Sequence, residues 1–296
     1  MTRPVSLGIV GAGRVGSVLG AALRAAGHPV NAVGGESEAS RARAALLLPQ
    51  VPVDKPTAVS RSCDLLLLTV PDDMLANVVT MLSASGAIRP GQVVAHTSGR
   101  HGLAVLEPAR LAGAEVIALH PAMTFTGTAK DLQRLPGCAF GVTAESERAV
   151  ELATTLVEEL QGRLVWVPED RRTLYHAGLA HGANHLVTLV TQAMDLLRES
   201  GATDPAATLR PLLSAALDNA LTMGDSALTG PIVRGDVETV RAHVAEIART
   251  APGTLPSYVA LARATANTAV LDGRLLPIRA AKLVGVLNDA LEKVTA

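Results

Sequence analysis

The chain has 296 residues, a length typical of about two domains that each bury a hydrophobic core. Hydrophobic residues make up 48% of the sequence and aromatic residues only 2%, so the cores must be built from Ala, Leu and Val. The formal charge of -1, without a long run of like charges, argues against a nucleic-acid-binding protein.

Neither the cysteines nor the apolar runs indicate a secreted or membrane protein. Cys63 and Cys138 are too few for a disulfide framework and lie beside apolar runs, so we expect buried thiols and a cytoplasmic location. The longest strongly apolar run beyond the N-terminus, residues 65–70, is too short to span a bilayer. The N-terminal residues resemble a signal peptide, but Arg14 interrupts their apolar run, and a strand, turn and helix explain them better.

The first half of the chain alternates short apolar runs with segments of helical spacing. This alternation predicts a doubly wound, mostly parallel α/β sheet with crossover helices. We therefore predict a Rossmann domain over residues 1–168. Its predicted strands are 5–10, 29–33, 64–70, 92–97, 114–120, 138–144 and 163–167, and its predicted helices are 16–27, 72–86 and 146–162.

After Pro168 the strand patterns disappear and only helical spacing remains. We therefore predict an all-helical second domain over residues 169–296, which would bind substrate or support dimerisation. Its predicted helices are 171–200, 205–224, 234–250, 255–270 and 278–295.

A glycine-rich turn, GAGRVG at residues 11–16, follows the first strand and opens the first helix, as a dinucleotide-binding fingerprint requires. Gly11 permits the tight turn, Gly13 lets a pyrophosphate approach the backbone, and Gly16 lets helix and strand pack closely. With Arg14 and Val15, these glycines bring free N–H groups to the phosphates. The alternatives are an ordinary glycine turn and a methyltransferase loop, which normally follows an acidic residue that this strand lacks.

The end of the second strand favours NADP over NAD. An NAD site normally has Asp or Glu there to bind the ribose hydroxyls, whereas Gly34 occupies that position here. Ser37 and Arg41 could instead bind the 2′-phosphate of NADP. These residues could equally form the solvated start of a helix, and Glu36 could still serve NAD.

The third motif is TVPDD, residues 69–73, at the end of the buried third strand. Open α/β sheets bind ligands at this position, so Thr69, Val70 and Pro71 could lie against the nicotinamide ribose. The same residues are also typical of a Pro-Asp helix start, and both interpretations can hold together.

Six motifs in a fixed order resemble those of a known group: GIVGAGRVG, LLLLTVPDD, VVAHTSG, ALHPAMTF, YHAGLAHGANHL and LTGPIVRGD. The chain resembles bacterial Rossmann-like proteins with an uncharacterised helical C-terminal domain. These are relatives of ketopantoate reductase, pyrroline-5-carboxylate reductase and the 6-phosphogluconate dehydrogenase-like β-hydroxyacid dehydrogenases. The resemblance covers nearly the whole chain and implies an NAD(P)-dependent oxidoreductase with its active site between the domains. It also implies a helical domain that could form a homodimer.

The first long helix after the Rossmann domain carries the catalytic residues of the ketopantoate reductase-like relatives: a Lys, an Asn four residues on and a second Asn four further. At that spacing the chain has His176, Ala180 and Asn184. The resemblance implies that His176 is the general acid and that Asn184 orients the substrate, since an imidazole is a good acid near neutral pH. About 12 Å and about 80° of helix rotation separate the two, so they would flank one pocket.

The other two histidines of this helix, His181 and His185, are four residues apart, which is also a metal-ligand spacing. No acidic residue accompanies them on that face, so we expect no metal site. We interpret His181 as a hydrogen-bonded core residue, whereas His185 stays undecided. Asn184, if buried, would need polar partners that a ligand could supply.

Three further stretches could bind the acidic group of a substrate. Ser98 and Gly99 resemble the Ser-Gly loop that binds carboxylates in the β-hydroxyacid relatives, although a simple turn is equally consistent. His120, before Pro121, resembles the His-Pro of prephenate dehydrogenase-like proteins. Arg234 could clamp a carboxylate by two hydrogen bonds or form a structural pair with Asp236.

These features predict an NADP-dependent reductase, with NAD as the alternative cofactor, acting on a small acidic 2-oxo or imino substrate. Ketopantoate is the best single guess. A second hypothesis is a nucleotide-binding regulator without catalysis, motivated by the His and Ala that replace the family Lys and Asn. A third is an imine reductase that resembles pyrroline-5-carboxylate reductase.

Overall fold

The structure, a computed structural model, describes residues 4–295, and the side chains of residues 4–292. The chain divides into two compact units, Met1–His181 and Gly182–Ala296. The predicted boundary near residue 168 precedes this division by one helix, Arg172–Leu179, which stays with the sheet because its side chains contact the ends of the strands.

The first unit is built on one seven-stranded sheet, which confirms the predicted α/β Rossmann fold. The strand order is β2-β1-β3-β4-β5-β6-β7, and all neighbours are parallel except β5 and β6. The segment between β5 and β6 contains only one helical turn and so lacks the crossover helix that usually joins a parallel pair. The strands are β1 Leu7–Val10, β2 Val30–Gly34, β3 Leu65–Leu68, β4 Val93–His96, β5 Glu115–Pro121, β6 Ala139–Thr143 and β7 Arg163–Trp166.

The central strands are buried on both faces, which is why they read as continuous apolar runs. Leu65 and Leu67 point into one core with helices α1 and α7, and Leu66 and Leu68 point into the other core with α4. The helices of this unit are α1 Arg14–Ala25, α2 Glu38–Leu47, α3 Pro56–Arg61, α4 Asp72–Ala84, α5 Glu107–Leu111, α6 Ala129–Leu132, α7 Glu147–Glu159 and α8 Arg172–Leu179.

The predicted helices α1, α4 and α7 are confirmed, whereas α2, α3, α5 and α6 were not predicted. These four are short or mostly polar on their surface, so they show little apolar periodicity. Cys63 and Cys138 are buried and unpaired, as predicted.

The second unit is helical, and its core lies between α12, α13 and α14. Val240 and Val244 pack there with Leu255, Val259 and Leu283. The helices are α9 His185–Glu199, α10 Pro205–Met223, α11 Pro231–Arg234, α12 Val237–Thr250, α13 Leu255–Leu271 and α14 Pro277–Thr295.

Two predicted helices are interrupted. A π-helical turn, Ala180–Asn184, lies within the predicted helix 171–200. The predicted helix 234–250 begins only at Val237, because Gly235 adopts φ +71° and separates α11 from α12. Within residues 4–295, no helix is long and apolar enough to cross a membrane.

Candidate cofactor and active site

The glycine turn packs α1 closely against the residue that follows β3, Thr69. Gly11 has φ +105°, and a Cβ there would lie 2.7 Å from the carbonyl carbon of Thr69. A Cβ at Gly16 would overlap Thr69 Oγ1 and the carbonyl oxygen of Gly11. Thr69 Oγ1 donates a 2.5 Å hydrogen bond to that same oxygen. Only glycine therefore fits at residues 11 and 16.

Gly13 differs from its two neighbours, because the space beside it is open. The nearest atom to a Cβ at Gly13 would be the Gly11 carbonyl oxygen, 3.9 Å away. No side chain caps the N-terminus of α1, and the first turn of this helix contains no acidic residue. Arg14, Val15 and Gly16 form that turn, so the arrangement fits the phosphates of a dinucleotide.

The loop after β3 starts helix α4, as one of the two interpretations of its sequence predicts. The backbone N–H of Thr69 donates to the Val10 carbonyl at 2.8 Å, which fixes the loop against β1. Val70 is half-buried, and Pro71 occupies the N-cap position of α4. The segment is therefore a helix start that also lies beside the glycine turn.

The residues after β2 form hydrogen bonds with residues close to them in the sequence. The strand ends at Gly34 without an acidic residue. Ser37 is the N-cap of α2, where its hydroxyl accepts from the Ser40 N–H at 3.1 Å. The Arg41 guanidinium donates to the Glu36 carbonyl at 2.5 Å. The predicted solvated helix start is therefore present, with its hydroxyl and guanidinium close to the strand end.

A second arginine of α2, Arg43, lies beside Arg14. A Cβ at Gly127 would lie 2.9 Å from Arg43 Cδ and 3.0 Å from Arg14 Cγ, so both side chains contact one glycine. Asp131 is fully buried and accepts from the N–H groups of this loop, at 2.7 Å from Gly127. Among the residues that the structure describes, neither arginine forms an ion pair, so their charges are available to an anion.

The loop after β4 carries Ser98 and Gly99 and is held by one buried imidazole and one exposed carboxylate. His96 Nε2 donates to the Gly102 carbonyl at 2.8 Å, while Nδ1 accepts from the Ser98 N–H at 3.1 Å. Burial lowers the pKa of His96 to about 4, so the imidazole is neutral at pH 7. The Glu169 carboxylate accepts from the Leu103 N–H at 2.7 Å. The loop is therefore rigid.

Arg172, at the start of α8, is fully buried and links this loop to β6. Its Nη2 donates to the Ser98 carbonyl at 2.8 Å, and its Nη1 donates to Thr143 Oγ1 at 3.0 Å. Among the described residues no carboxylate pairs with it, and its Nε has no partner. Burial lowers the pKa of Arg172. An unpaired buried cation makes the surrounding site electropositive.

Two imidazoles meet at Gly99, and a tyrosine ring contacts one of them. A Cβ at Gly99 would lie 2.5 Å from His176 Cδ2 and 3.0 Å from His120 Nε2. The imidazoles of His120 and His176 stand edge to face with centroids 5.9 Å apart, and the Tyr175 hydroxyl lies 3.1 Å from His120 Nδ1. Burial, followed by the charges of Arg172 and His176, lowers the pKa of His120 to about 4. These three side chains form the histidine cluster.

The remaining predicted site residues belong to the second unit. Asn184 ends the π-helical turn and is exposed, which removes the premise that its carboxamide is buried. The prediction that His181 fills the core is wrong, because the side chain is exposed. Arg234 is exposed and its Nε donates to Asp236 at 3.0 Å. Within the described residues no group of His, Cys, Asp or Glu could hold a metal ion.

Sequence reasoning missed four residues of these sites: Arg43, Glu169, Arg172 and Tyr175. Each occurs in a segment that reads as an ordinary solvated helix or its start. Only Tyr175 carried a signal, since it is one of two tyrosines in the chain and precedes the predicted acid.

Two family models match the sequence. A Rossmann-like domain matches residues 2–121, and a domain of unknown function, DUF2520, matches residues 138–265. A search among curated proteins gave no significant match.

Solved structures share the fold over most of the chain. A Bacteroides fragilis protein, provisionally named an NADP oxidoreductase, is 19% identical with a TM-score of 0.76, over 89% of this chain and 98% of its own. A Thermotoga maritima protein is 20% identical with a TM-score of 0.64, over 90% and 99%. Pyrroline carboxylate reductase from Plasmodium falciparum, with NADP bound, is 10% identical with a TM-score of 0.59, over 95% and 98%.

At these identities the solved structures establish the fold, and the family models establish the order of the domains. Residues 2–121 are therefore similar to a Rossmann-like domain and residues 138–265 to a DUF2520 domain, and the fold is similar to that of the pyrroline carboxylate reductases.

Proposed function

We propose that the protein is an NADP-dependent oxidoreductase that reduces a small acidic 2-oxo or imino compound. One arrangement carries the proposal. The glycine turn after β1 and the histidine cluster beside the loops after β4 and β5 occupy the carboxyl edge of a single sheet. That edge is where open α/β sheets bind ligands.

The cofactor would bind at the N-terminus of α1, where Gly13 leaves room and Arg14, Val15 and Gly16 present N–H groups. Ser37 and Arg41 would bind the 2′-phosphate, and the free charge of Arg43 beside Arg14 adds a second cation. Thr69, Val70 and Pro71 would face the nicotinamide ribose. NADP(H) would supply the hydride, a step that no side chain of the chain can perform.

The protein must supply a proton to the oxygen or nitrogen that gains electron density. His176 is the proposed donor, since its half-buried ring is fixed against Gly99. Ser98 and Gly99 would hold the acidic group of the substrate, next to the buried charge of Arg172. Asn184 and Arg234 stay proposed substrate residues of the second unit.

Both 2-oxo acids and cyclic imines fit this chemistry, because each accepts a hydride at carbon and a proton at the heteroatom. Ketopantoate stays the first 2-oxo acid to test. The fold shared with pyrroline carboxylate reductase and with an imine reductase from Myxococcus stipitatus in complex with NAD+ supports testing cyclic imino acids beside it.

The experiment is a turnover assay with NADPH and a panel of 2-oxo acids and cyclic imino acids, on the wild type and on His176→Ala. His185→Ala is the matched control, because this exposed histidine lies on the next helix. We expect turnover to fall by about 100-fold in His176→Ala only. A non-catalytic regulator would bind NADPH and turn over no substrate in any variant.

We further propose a homodimer formed through α9 and α10. These helices expose Leu186 and Val187, and Leu212, Leu217 and Leu221, each at least 39% accessible. Clusters of exposed apolar side chains on one pair of helices are typical of association surfaces. Light scattering after gel filtration should give a dimer, and Leu212→Glu combined with Leu217→Glu should give a monomer. A cytoplasmic location stays a prediction from the unpaired cysteines.

A further inference from the structure

The hydroxyl of Tyr175 is hydrogen-bonded to the imidazole of His120. Tyr175 Oη lies 3.1 Å from His120 Nδ1, and the two rings meet edge to face at an interplanar angle of 87°. Tyr175 precedes the proposed acid His176 in α8, whereas His120 belongs to β5. The contact therefore joins two distant segments at the edge of the sheet.

The position of Tyr175 is fixed by a glycine of the neighbouring strand. Gly141 in β6 lies directly opposite His120 in β5, and a Cβ at Gly141 would be 2.5 Å from both Cζ and Oη of Tyr175. Arg172 Nη1 donates to the Gly141 carbonyl at 3.3 Å, which ties the same strand to the first turn of α8. The tyrosine hydroxyl is thus held at one side of the His120 ring.

The other ring nitrogen of His120 faces the proposed substrate loop. Nε2 lies 3.0 Å from the position of a Cβ at Gly99, which the ring of His176 also contacts. The imidazole therefore has Tyr175 at Nδ1 and the Ser98–Gly99 loop at Nε2. A neutral imidazole carries one proton, and the partner of one nitrogen decides which nitrogen holds it.

We propose that Tyr175 is a positioning residue: its hydroxyl donates a hydrogen bond to His120 Nδ1 and so keeps the imidazole proton on Nε2, aimed at the Ser98–Gly99 loop. His120 then acts as a neutral hydrogen-bond donor to the oxygen or nitrogen of the substrate, while His176 delivers the proton. The catalytic consequence rests on the proposed function, whereas the proton position does not.

The protonation states of the two groups agree with this arrangement. Burial raises the pKa of Tyr175, so the hydroxyl keeps its proton. Burial and the charges of Arg172 and His176 lower the pKa of His120 to about 4, so the ring is neutral at pH 7. A neutral imidazole that polarises a carbonyl oxygen is an established catalytic device.

The test is the nitrogen NMR spectrum of the histidine side chains in the full-length protein at pH 7, without ligand. The variants are Tyr175→Phe and, as the matched control, Tyr258→Phe, which removes the hydroxyl of the other tyrosine–histidine pair, Tyr258 with His243 at 2.9 Å. His120→Asn identifies the His120 signals, and thermal unfolding checks that every variant is folded.

We expect the proton of His120 on Nε2 in the wild type and in Tyr258→Phe, and a mixture of both tautomers in Tyr175→Phe. A proton on Nδ1 in the wild type, or an unchanged tautomer in Tyr175→Phe, would overturn the proposal.

A turnover measurement separates this proposal from the proposed function. With a substrate in hand, Tyr175→Phe should lower kcat by at least about tenfold while the Kd for NADPH stays unchanged. Unchanged kcat together with a changed tautomer would overturn the role of His120 as a donor. If no substrate is turned over, the proposed function fails. The NMR result still decides which ring nitrogen of His120 carries the proton.

Discussion

The ring of His176 lies directly against the backbone of Gly99, with Cδ2 only 2.5 Å from the position that a Cβ would occupy. His120 Nε2 contacts the same position at 3.0 Å. A glycine at residue 99 therefore lets two imidazoles approach one short segment of the loop after β4. This contact brings the proposed acid of α8 to the sheet edge where ligands bind.

Replacing Gly99 with Ala should displace both imidazoles, because the added methyl group overlaps His176. We expect turnover to fall by about tenfold or more, with a loss of stability of about 1–3 kcal/mol from overpacking. Steady-state kinetics and thermal unfolding measure the two effects. Gly178→Ala in α8, where a Cβ meets nothing within 4 Å, is the control and should change neither. Equal behaviour of the two variants would show that the contact at Gly99 has no functional weight.

Because the space beside Gly13 is open, a substitution there should affect NADPH binding without affecting the stability of the fold. We expect Gly13→Ala to keep the melting temperature of the wild type, because its backbone has φ -77° and a Cβ there meets no atom closer than 3.9 Å. The same methyl group should weaken NADPH binding by at least about tenfold, since it occupies the approach of the pyrophosphate. Gly16→Ala should instead lower the melting temperature, through its overlap with Thr69. NADPH fluorescence titration and calorimetry measure both; unaltered binding in Gly13→Ala would contradict the proposed phosphate site.

Arg43 and Arg41 lie on the same helix and differ in their partners. Arg41 is bonded to the Glu36 carbonyl, whereas Arg43 lies beside Arg14 without an ion pair among the described residues. We expect Arg43→Ala to weaken NADPH binding by about tenfold and to leave NADH binding nearly unchanged, as loss of a cation at a 2′-phosphate requires. Arg41→Ala removes the other cation proposed at the 2′-phosphate and should likewise weaken the binding of NADPH more than that of NADH. Equal losses for NADPH and NADH in Arg43→Ala would place this arginine away from the 2′-phosphate.

His96 makes folding depend on pH. Its pKa falls from 6.5 to about 4 on folding, so between these values the unfolded chain binds more protons than the folded one. His96 alone therefore lowers the free energy of unfolding as the pH falls from 6.5, by on the order of 3 kcal/mol once the pH is below 4. His96→Gln lacks this titration and should show a flatter profile over this window in urea unfolding. A wild-type slope retained in the variant would assign the effect to another group.

Local patterns predicted the first unit well. The apolar strands, the glycine turn and helices α1, α4 and α7 follow from residues adjacent in sequence, and the structure has them at nearly the predicted positions. The antiparallel pairing of β6 with β5 follows from the lack of a crossover helix between them. Apolar runs in the sequence reveal the strands but not this difference in direction.

The histidine cluster could be predicted only in part. His120 and His176 stood out as polar residues at a strand end and on an apolar helix. Their contact through Gly99, and the burial of Arg172 and Tyr175, depend on segments about 30 to 75 residues apart along the chain. The prediction that His181 lies in the core was wrong, because it took apolar spacing as a sign of burial. The helix that follows His181 exposes much of its apolar surface.

Transfer of deuterium from labelled NADPH to substrate is the most direct measurement of the proposed function. The purified protein would be incubated with NADPH deuterated at the reactive carbon and with ketopantoate or a cyclic imino acid, and the products analysed by mass spectrometry. We predict one deuterium on the former carbonyl or imine carbon, and about 100-fold less labelled product with His176→Ala over the same time. Tight NADPH binding without deuterated product from any compound of the panel would contradict a reductase and favour the non-catalytic regulator.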